Sequence, residues 1–383
     1  MNVLVVNASV DLYGANRILL QSILILKPRK IILVLPSEGL LTDFIKNNPD
    51  YDHVEIRIVK TMPVVFRSMN LKHGFQLLHN IYSFRKTIKK IKKECAVSWA
   101  YVNTLSAFII IGILKNLRLK VLVHVHEILE NDRLFTRSIN RYAANRADKI
   151  VAVSSPVALN LKETSNKENI VTILNGISDM HVEDVAKNNS VTVTLFGRIK
   201  PEKGIWFFLD AIKLLDESVW SKAIFNIIGS PAPGGDHYLL KLQNDIEQHP
   251  AKKNIQFKSF IPDIKIILNS SNVIVVPSLM RDPFPTTILE AASAGKPVIA
   301  TNTGGAVQSV QNNVTGFLIE PSDTKKFAEY LQALINSETL RNTMGTAARK
   351  FYLDNFTLEI FNNNILSVIK NFEAQFVPTQ NID

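Results

Sequence analysis

Residues 277–305 read PSLMRDPFPTTILEAASAGKPVIATNTGG, and their order of elements decides the fold. Just before them, 273–276 (VIVV) has the length and β-branched composition of a buried strand. The loop that follows carries Pro283 and Pro285, which hold it extended. A helix is expected to open near Thr286 or Thr287. Its free N–H groups then lie beyond the carboxyl end of the strand, where a phosphate is attracted. Residues 297–300 (PVIA) form the next strand. Strand, helix, strand without a hairpin turn predicts α/β architecture with a parallel sheet.

The same alternation runs outward in both directions. Towards the N-terminus it predicts strands at 255–257, 223–228 and 191–196, with helices at 264–269 and 204–215; helices follow from 324 onward. The first half repeats it, with strands at 3–7, 30–36, 53–59, 96–102, 120–126 and 149–153 and helices at 16–26 and 40–47. Between the halves, 177–190 (ISDMHVEDVAKNNS) is polar and aperiodic and reads as a connection. A chain of 383 residues suits two such lobes. In open parallel sheets ligands bind beyond the carboxyl ends of the strands, so the expected site is a cleft between two facing lobes.

Charge is unevenly distributed. The chain carries 44 Lys+Arg and 34 Asp+Glu, and residues 1–170 hold 25 of those cations against 13 of the anions. The first lobe is thus expected to face an anionic partner. One cysteine, Cys95, excludes an internal disulfide and a cysteine-based zinc site. The N-terminus lacks the basic segment and long apolar run of a secretory signal, and the apolar stretch 105–114 is too short to span a bilayer. The expectation is a cytoplasmic protein with no membrane-spanning helix.

Three blocks carry candidate chemistry. Asp282 lies on the 277–285 loop and Glu290 eight positions later in the helix; two carboxylates flanking a helix N-terminus suit a ligand both phosphorylated and rich in hydroxyls. Residues 195–204 (LFGRIKPEKG) place a glycine turn, Arg198 and Lys203 after a strand, a cradle for diphosphate oxygens. Residues 120–130 (KVLVHVHEILE) put His124 and His126 on one strand face with Glu127 following. A His-x-His pair also suits a metal, but only Glu127 stands near as a third ligand, so no required metal is expected. Asp50 and Asp52 form an Asp-x-Asp ahead of a strand and read as a solvated loop.

These blocks resemble glycosyltransferase family 4, whose members are retaining enzymes of the GT-B fold, with two Rossmann-like lobes. The family's Glu, seven residues, Glu motif corresponds to Asp282 and Glu290, its Gly-Lys-Pro-Val-Ile-Ala strand to 295–300, and its Thr-x-x-Gly-Gly turn to 301–305. Asp in place of the first Glu shortens that side chain's reach and bears on the donor sugar. Arg198 and Lys203 match the diphosphate-binding pair, His126 the histidine beside the donor sugar, and Gly14 the glycine of the first-lobe loop, where Tyr13 and Asn16 depart from the pattern. The Asn175–Gly176 dipeptide and Gly229 fit as well, and the matches cover most of residues 1–320. The resemblance implies an N-terminal acceptor-binding lobe at 1–180, a nucleotide-sugar lobe at 181–355, and a C-terminal helix within 356–383 crossing back.

The implied activity is transfer of a sugar from a nucleotide diphosphate donor to a saccharide acceptor, including polyprenyl-diphosphate-linked ones, in surface polysaccharide biosynthesis, with no cofactor. Glu290 would hold the ribose, and Asp282 the sugar hydroxyls. Phe284, Pro285, Thr286 and Thr287 would line the donor: backbone N–H groups near 284–286 would assist Asp282 at the sugar, and the helix opening near Thr286 would meet the diphosphate. A sugar-nucleotide epimerase of the same fold and a non-catalytic sugar-nucleotide binder are the alternatives; no nucleic-acid partner is expected. Finally, 81–93 holds Arg85, Lys86, Lys89, Lys90, Lys92 and Lys93, with Ile81, Phe84, Ile88 and Ile91 at helical spacing. This pattern predicts a helix that lays an apolar stripe on an anionic membrane, making the protein peripheral on the inner face of the cytoplasmic membrane.

Overall fold

The computed structural model describes residues 1–12, 14–27, 29–63, 71–130, 133–181, 190–232 and 234–376. The chain divides into two compact units, Met1–Asn175 with Glu359–Asp383, and Gly176–Leu358.

The first unit is built on seven strands, β1 Asn2–Asn7, β2 Lys30–Leu35, β3 Val54–Ile58, β4 Val97–Asn103, β5 Lys120–Val125, β6 Lys149–Ala152 and β7 Ile170–Thr172. They pair in parallel in the order β3-β2-β1-β4-β5-β6-β7. Val3 to Val6 and Ile31 to Val34 are buried without alternation, as strands covered on both faces must be. The covering helices are α1 Gly14–Ile25, α2 Leu40–Lys46, α3 Leu71–Glu94, α4 Phe108–Asn116, α5 Leu134–Arg146 and α6 Ser155–Lys162. The apolar stretch 105–114 becomes a 3-10 turn followed by α4, and no helix among the described residues is long and apolar enough to cross a membrane.

The second unit holds β8 Val191–Phe196, β9 Ala223–Ile228, β10 Ile255–Lys258, β11 Val273–Val276, β12 Val298–Thr301 and β13 Gly316–Ile319. Their order is β10-β9-β8-β11-β12-β13, again all parallel. The helices are α7 Ile205–Lys213, α8 Glu217–Trp220, α9 Asp236–Glu247, α10 Ile264–Asn269, α11 Thr286–Ser293, α12 Ala306–Ser309, α13 Thr324–Asn336 and α14 Glu338–Asn355. Strand order reverses between β1 and β4 in the first sheet and between β8 and β11 in the second. Such reversals open the crevices where doubly wound sheets take ligands.

The last helix, α15 Leu358–Ala374, belongs to the first unit's core, into which it drives Phe361, Ile365, Ile369 and Phe372. Arg29 grips Glu373 through Nε at 2.9 Å and Nη2 at 2.5 Å, and Trp99 Nε1 donates to the same carboxylate at 2.9 Å. Both charges are largely buried, so removing either would strand the other.

Several expected boundaries change. The sequence of 177–190 predicts a connection, yet residues 177–180 pack into the second unit: Ile177 bridges to Thr357, Met180 N donates to Ser293 Oγ at 2.7 Å, and Arg349 pairs with Asp179 at 2.5 Å. The Arg349 guanidinium holds the Asp179 carboxyl down at about 2. The division therefore falls after Asn175 rather than at 180, and the second unit runs to Leu358 rather than 355. Residues 182–189 of that stretch lie outside the described residues. Strand β5 also stops at Val125, so His126 sits one residue beyond it.

Candidate active site

At the second unit's switch point, two loops leave β8 and β11 side by side. Gly197 follows β8 at φ 148°, and a Cβ on Gly229 would stand 1.8 Å from its carbonyl oxygen. The loop then makes a 3-10 turn over Pro201–Lys203 and reaches Gly204 at φ 73°. A Cβ on Gly204 would lie 1.8 Å from Pro277 O, so only glycine lets the two loops touch there. Leu279 N donates to Glu202 O at 2.9 Å, closing the seam. This brings Lys203 Nζ to 2.9 Å from Asp282 Oδ2. Two residues singled out on separate motifs, 79 positions apart, thus form one ion pair.

The turn at 301–305 backs this loop. Gly305 N donates to Asp282 O at 2.7 Å, and Thr301 Oγ1 to Ser278 O at 2.6 Å. A Cβ on Gly304 or Gly305 would come within 2.2 Å of the carbonyl of Asp282 or Pro283 respectively. The two glycines therefore let the turn approach close enough to fix the backbone beneath the Asp282 side chain.

Helix α11 begins at Thr286 with Pro285 as its N-cap, and no side chain caps its first amides. Ile288 N donates to Pro285 O at 3.1 Å, so the donors at Thr286 and Thr287 are the ones left for a ligand or water. Phe284 is buried with its ring edge-on to Phe356 at 5.9 Å, so it anchors the loop and offers a ligand only its backbone. Glu290 follows Thr286 by four positions and Thr287 by three, placing all three on one helix face, with Glu290 5% exposed. Arg198 sits half-buried on the loop that carries Lys203.

In the first unit, the carboxyl ends of β1, β4 and β5 line up Asn7, Asn103 and His126. His126 Nε2 meets Asn103 Oδ1 at 2.9 Å, Asn103 Nδ2 donates to Asn7 Oδ1 at 3.0 Å, and Asn7 Nδ2 donates to Asn16 Oδ1 at 2.9 Å. Burial pushes the His126 imidazole down to about 3, so the ring is neutral near pH 7. His124 is fully buried, 2.6 Å from Tyr101 Oη and stacked on Phe361, which fits a structural residue. Burial drives its pKa well below the ordinary range, helped by His126. Glu127 does not turn towards the histidines. Its carboxylate accepts from Leu105 N at 3.1 Å and His126 N at 3.1 Å, while burial raises its pKa. Among the described residues no group of three or more His, Cys, Asp or Glu could hold a metal ion. Asp50 and Asp52 flank Tyr51 in a 3-10 turn ahead of β3. Gly14 opens α1 with free space where a Cβ would stand, and Tyr13 lies outside the described residues.

Two family models divide the chain between them. Residues 178–351 match the glycosyl transferases group 1 model and residues 41–180 the glycosyltransferase family 4 model. The chain belongs to glycosyltransferase family 4. The capsular polysaccharide biosynthesis glycosyltransferase CapM of Staphylococcus aureus is 30% identical over 190 residues, 48% of this chain and 47% of that protein. The Escherichia coli UDP-Gal:alpha-D-GlcNAc-diphosphoundecaprenol alpha-1,3-galactosyltransferase is 31% identical over 178 residues, 45% and 43% of the respective chains. The chain thus spans about half the length of the curated relatives it matches. Among solved structures, HepE of Anabaena in complex with UDP superposes with a TM-score of 0.82 at 21% identity, covering 97% of this chain and 100% of that one. The fold is GT-B.

This family 4 chain departs from one sequence expectation on α3. Phe84, Ile88 and Ile91, expected to lie on lipid, are buried against the protein's own core. The helical spacing was right, but a spacing cannot say whether a stripe faces a membrane or a sheet. Arg85, Lys86, Lys89, Lys90 and Lys93 are exposed, whereas Lys92 turns inward to donate to Leu117 O at 2.7 Å. A different apolar row, Phe75, Leu78 and Tyr82, stands out on the solvent side of the same helix.

Proposed function

We propose that this chain transfers a sugar, with retention and without a metal, from a nucleotide diphosphate donor to a hydroxyl of a saccharide carried on a polyprenyl diphosphate. The observation that carries this reading is the Lys203–Asp282 pair set beside the uncapped start of α11, with Glu290 one turn behind it. The leaving diphosphate gains charge as the glycosidic bond breaks. Arg198, Lys203 and the first amides of α11 supply positive potential where that charge develops. Glu290 takes the ribose hydroxyls. Asp282 orients sugar hydroxyls. His126, neutral and held in place on its own unit, is a hydrogen-bond partner for a saccharide hydroxyl. No carboxylate is needed as nucleophile if the acceptor attacks from the face of the departing phosphate, assisted by its oxygens.

Support for the acceptor class comes from the relatives, one named for capsular polysaccharide and one for a diphosphoundecaprenol-linked substrate. The exposed cations of α3, with Phe75, Leu78 and Tyr82 beside them, suit contact with an anionic bilayer, each cation contributing about 1 kcal/mol. The test supplies a panel of nucleotide sugars with an undecaprenyl-diphosphate-linked monosaccharide, in the presence of EDTA. The expected product is heavier by one sugar and keeps the donor's anomeric configuration by NMR. Donor turnover that ignores the acceptor favours the epimerase class instead, and an inverted anomer overturns the mechanism.

A further inference from the structure

The side-chain amides behind His126 leave only one pattern of donors and acceptors. Asn7 Nδ2 donates to Ser9 O at 2.6 Å, and Asn16 Nδ2 donates to Asp11 O at 2.8 Å. Main-chain carbonyls can only accept, so both atoms must be NH2 groups. Asn16 therefore turns its oxygen to Asn7, and Asn7 turns its own oxygen to Asn103. Asn103 must meet that oxygen with its NH2 group, which leaves its oxygen facing His126 Nε2. All three asparagines are buried, at 0%, 1% and 0% exposure for Asn7, Asn16 and Asn103, so water does not relax the pattern.

We propose that Asn16, Asn7 and Asn103 are positioning residues that fix His126 as the Nε2–H tautomer and so present its Nδ1 as a hydrogen-bond acceptor. Among the described residues nothing is bonded to Nδ1, and the residue as a whole is half-buried. A lone pair held there accepts from a hydroxyl and repels a carbonyl or phosphate oxygen. Its use on a sugar rests on the transferase reading; the tautomer does not. The neighbouring titratable groups leave the pattern intact. His124, with ring centres 4.2 Å apart, is neutral by burial, its own partner being Tyr101. Glu127 reaches the His126 backbone N–H rather than the ring, and Asp11 sits at the far end of the relay beside Asn16 Nδ2. From α15, Phe361 stacks on the His124 ring.

The test is long-range proton–nitrogen NMR of the full chain labelled with nitrogen-15 histidine, with no nucleotide added, His126 being assigned by its loss in His126→Gln. Expected is a proton on Nε2, a bare Nδ1, and no titration between pH 5 and 8. In Asn7→Ala the Asn103 amide loses its partner and can turn its NH2 group to the ring, so the His126 population shifts towards Nδ1–H. An Nδ1–H ring in the unaltered protein, or one titrating near pH 6, overturns the proposal without recourse to any variant. An Asn7→Ala spectrum identical to that of the unaltered protein overturns the relay. Neither result depends on whether the chain transfers sugar.

Discussion

Replacing Lys203 with alanine tests the diphosphate site at its best-defined contact. A lysine about 4 Å from a phosphate charge is attracted by about 4 kcal/mol at the effective dielectric of a half-buried site. Lys203 does not enter binding unpaired, because Asp282 already holds it at 2.9 Å. Part of the attraction is therefore exchanged rather than gained. The net loss on truncation should fall in the range for a hydrogen bond to a charged group, about 1.5–3 kcal/mol. That is about a 10- to 150-fold weaker dissociation constant for whichever nucleoside diphosphate the protein binds, with its nucleotide sugar following in parallel. The companion change, Asp282→Asn, releases Lys203 and should leave the free nucleoside diphosphate bound as well or better, while the nucleotide sugar loses about 10-fold. Titration calorimetry with both ligands on both variants reads the four numbers. Equal losses for the free diphosphate in the two variants, or none in Lys203→Ala, would refute the pair as a diphosphate contact.

Further expectations follow from the same geometry. Glu290→Ala should weaken the free nucleoside diphosphate and its nucleotide sugar alike, by about 10-fold in calorimetry, since one ribose hydrogen bond to a charged acceptor is lost from both. Gly305→Ala drives a Cβ to 2.2 Å from Pro283 O, so the Asp282 loop must move; turnover should fall at least about 10-fold while circular dichroism stays native. His126 lies at about 3 in the folded chain against 6.5 unfolded. The unfolded state therefore binds the extra proton, and this residue costs up to about 1.4 kcal/mol of stability per pH unit as pH falls from 6.5 towards 3. Glu127, raised by burial, acts in the opposite sense, so denaturation of His126→Gln against the unaltered protein isolates the histidine: the variant should show the shallower acid limb.

Much of the architecture could be read locally. Unbroken β-branched runs such as Ile31 to Val34 announce strands buried on both faces, and the 273–300 stretch announces its strand, loop, helix and strand nearly to the residue. What escaped was non-local. Asp179 reads as part of a solvated linker because its partner Arg349 is 170 positions away. β13 begins at Gly316, a weak strand former kept because any Cβ would stand 2.2 Å from Val298 O. In the site, Arg198, Lys203 and Asp282 are legible as charged residues on loops after strands and Glu290 as a carboxylate in the helix that follows, but the Lys203–Asp282 pairing is not. Asn7, Asn16 and Asn103 were missed altogether as functional candidates. An asparagine ending a buried strand, as Asn7 and Asn103 do, is the signal that could have found them, since a buried amide needs partners. The α3 stripe failed for the converse reason: periodicity locates an apolar face without naming what covers it.

Thermal unfolding with common nucleoside diphosphates, set against the matching monophosphates, tests the diphosphate site most directly. At about 100 times its dissociation constant, a ligand bound only by the folded state adds about 2.7 kcal/mol, or about 5–10 °C for a unit of this size. At least one diphosphate should give that rise, its monophosphate far less, and Arg198→Ala with Lys203→Ala together should abolish the difference. A protein whose melting ignores every diphosphate, or a double variant stabilised as fully as the unaltered chain, would contradict a sugar-nucleotide site on the second unit.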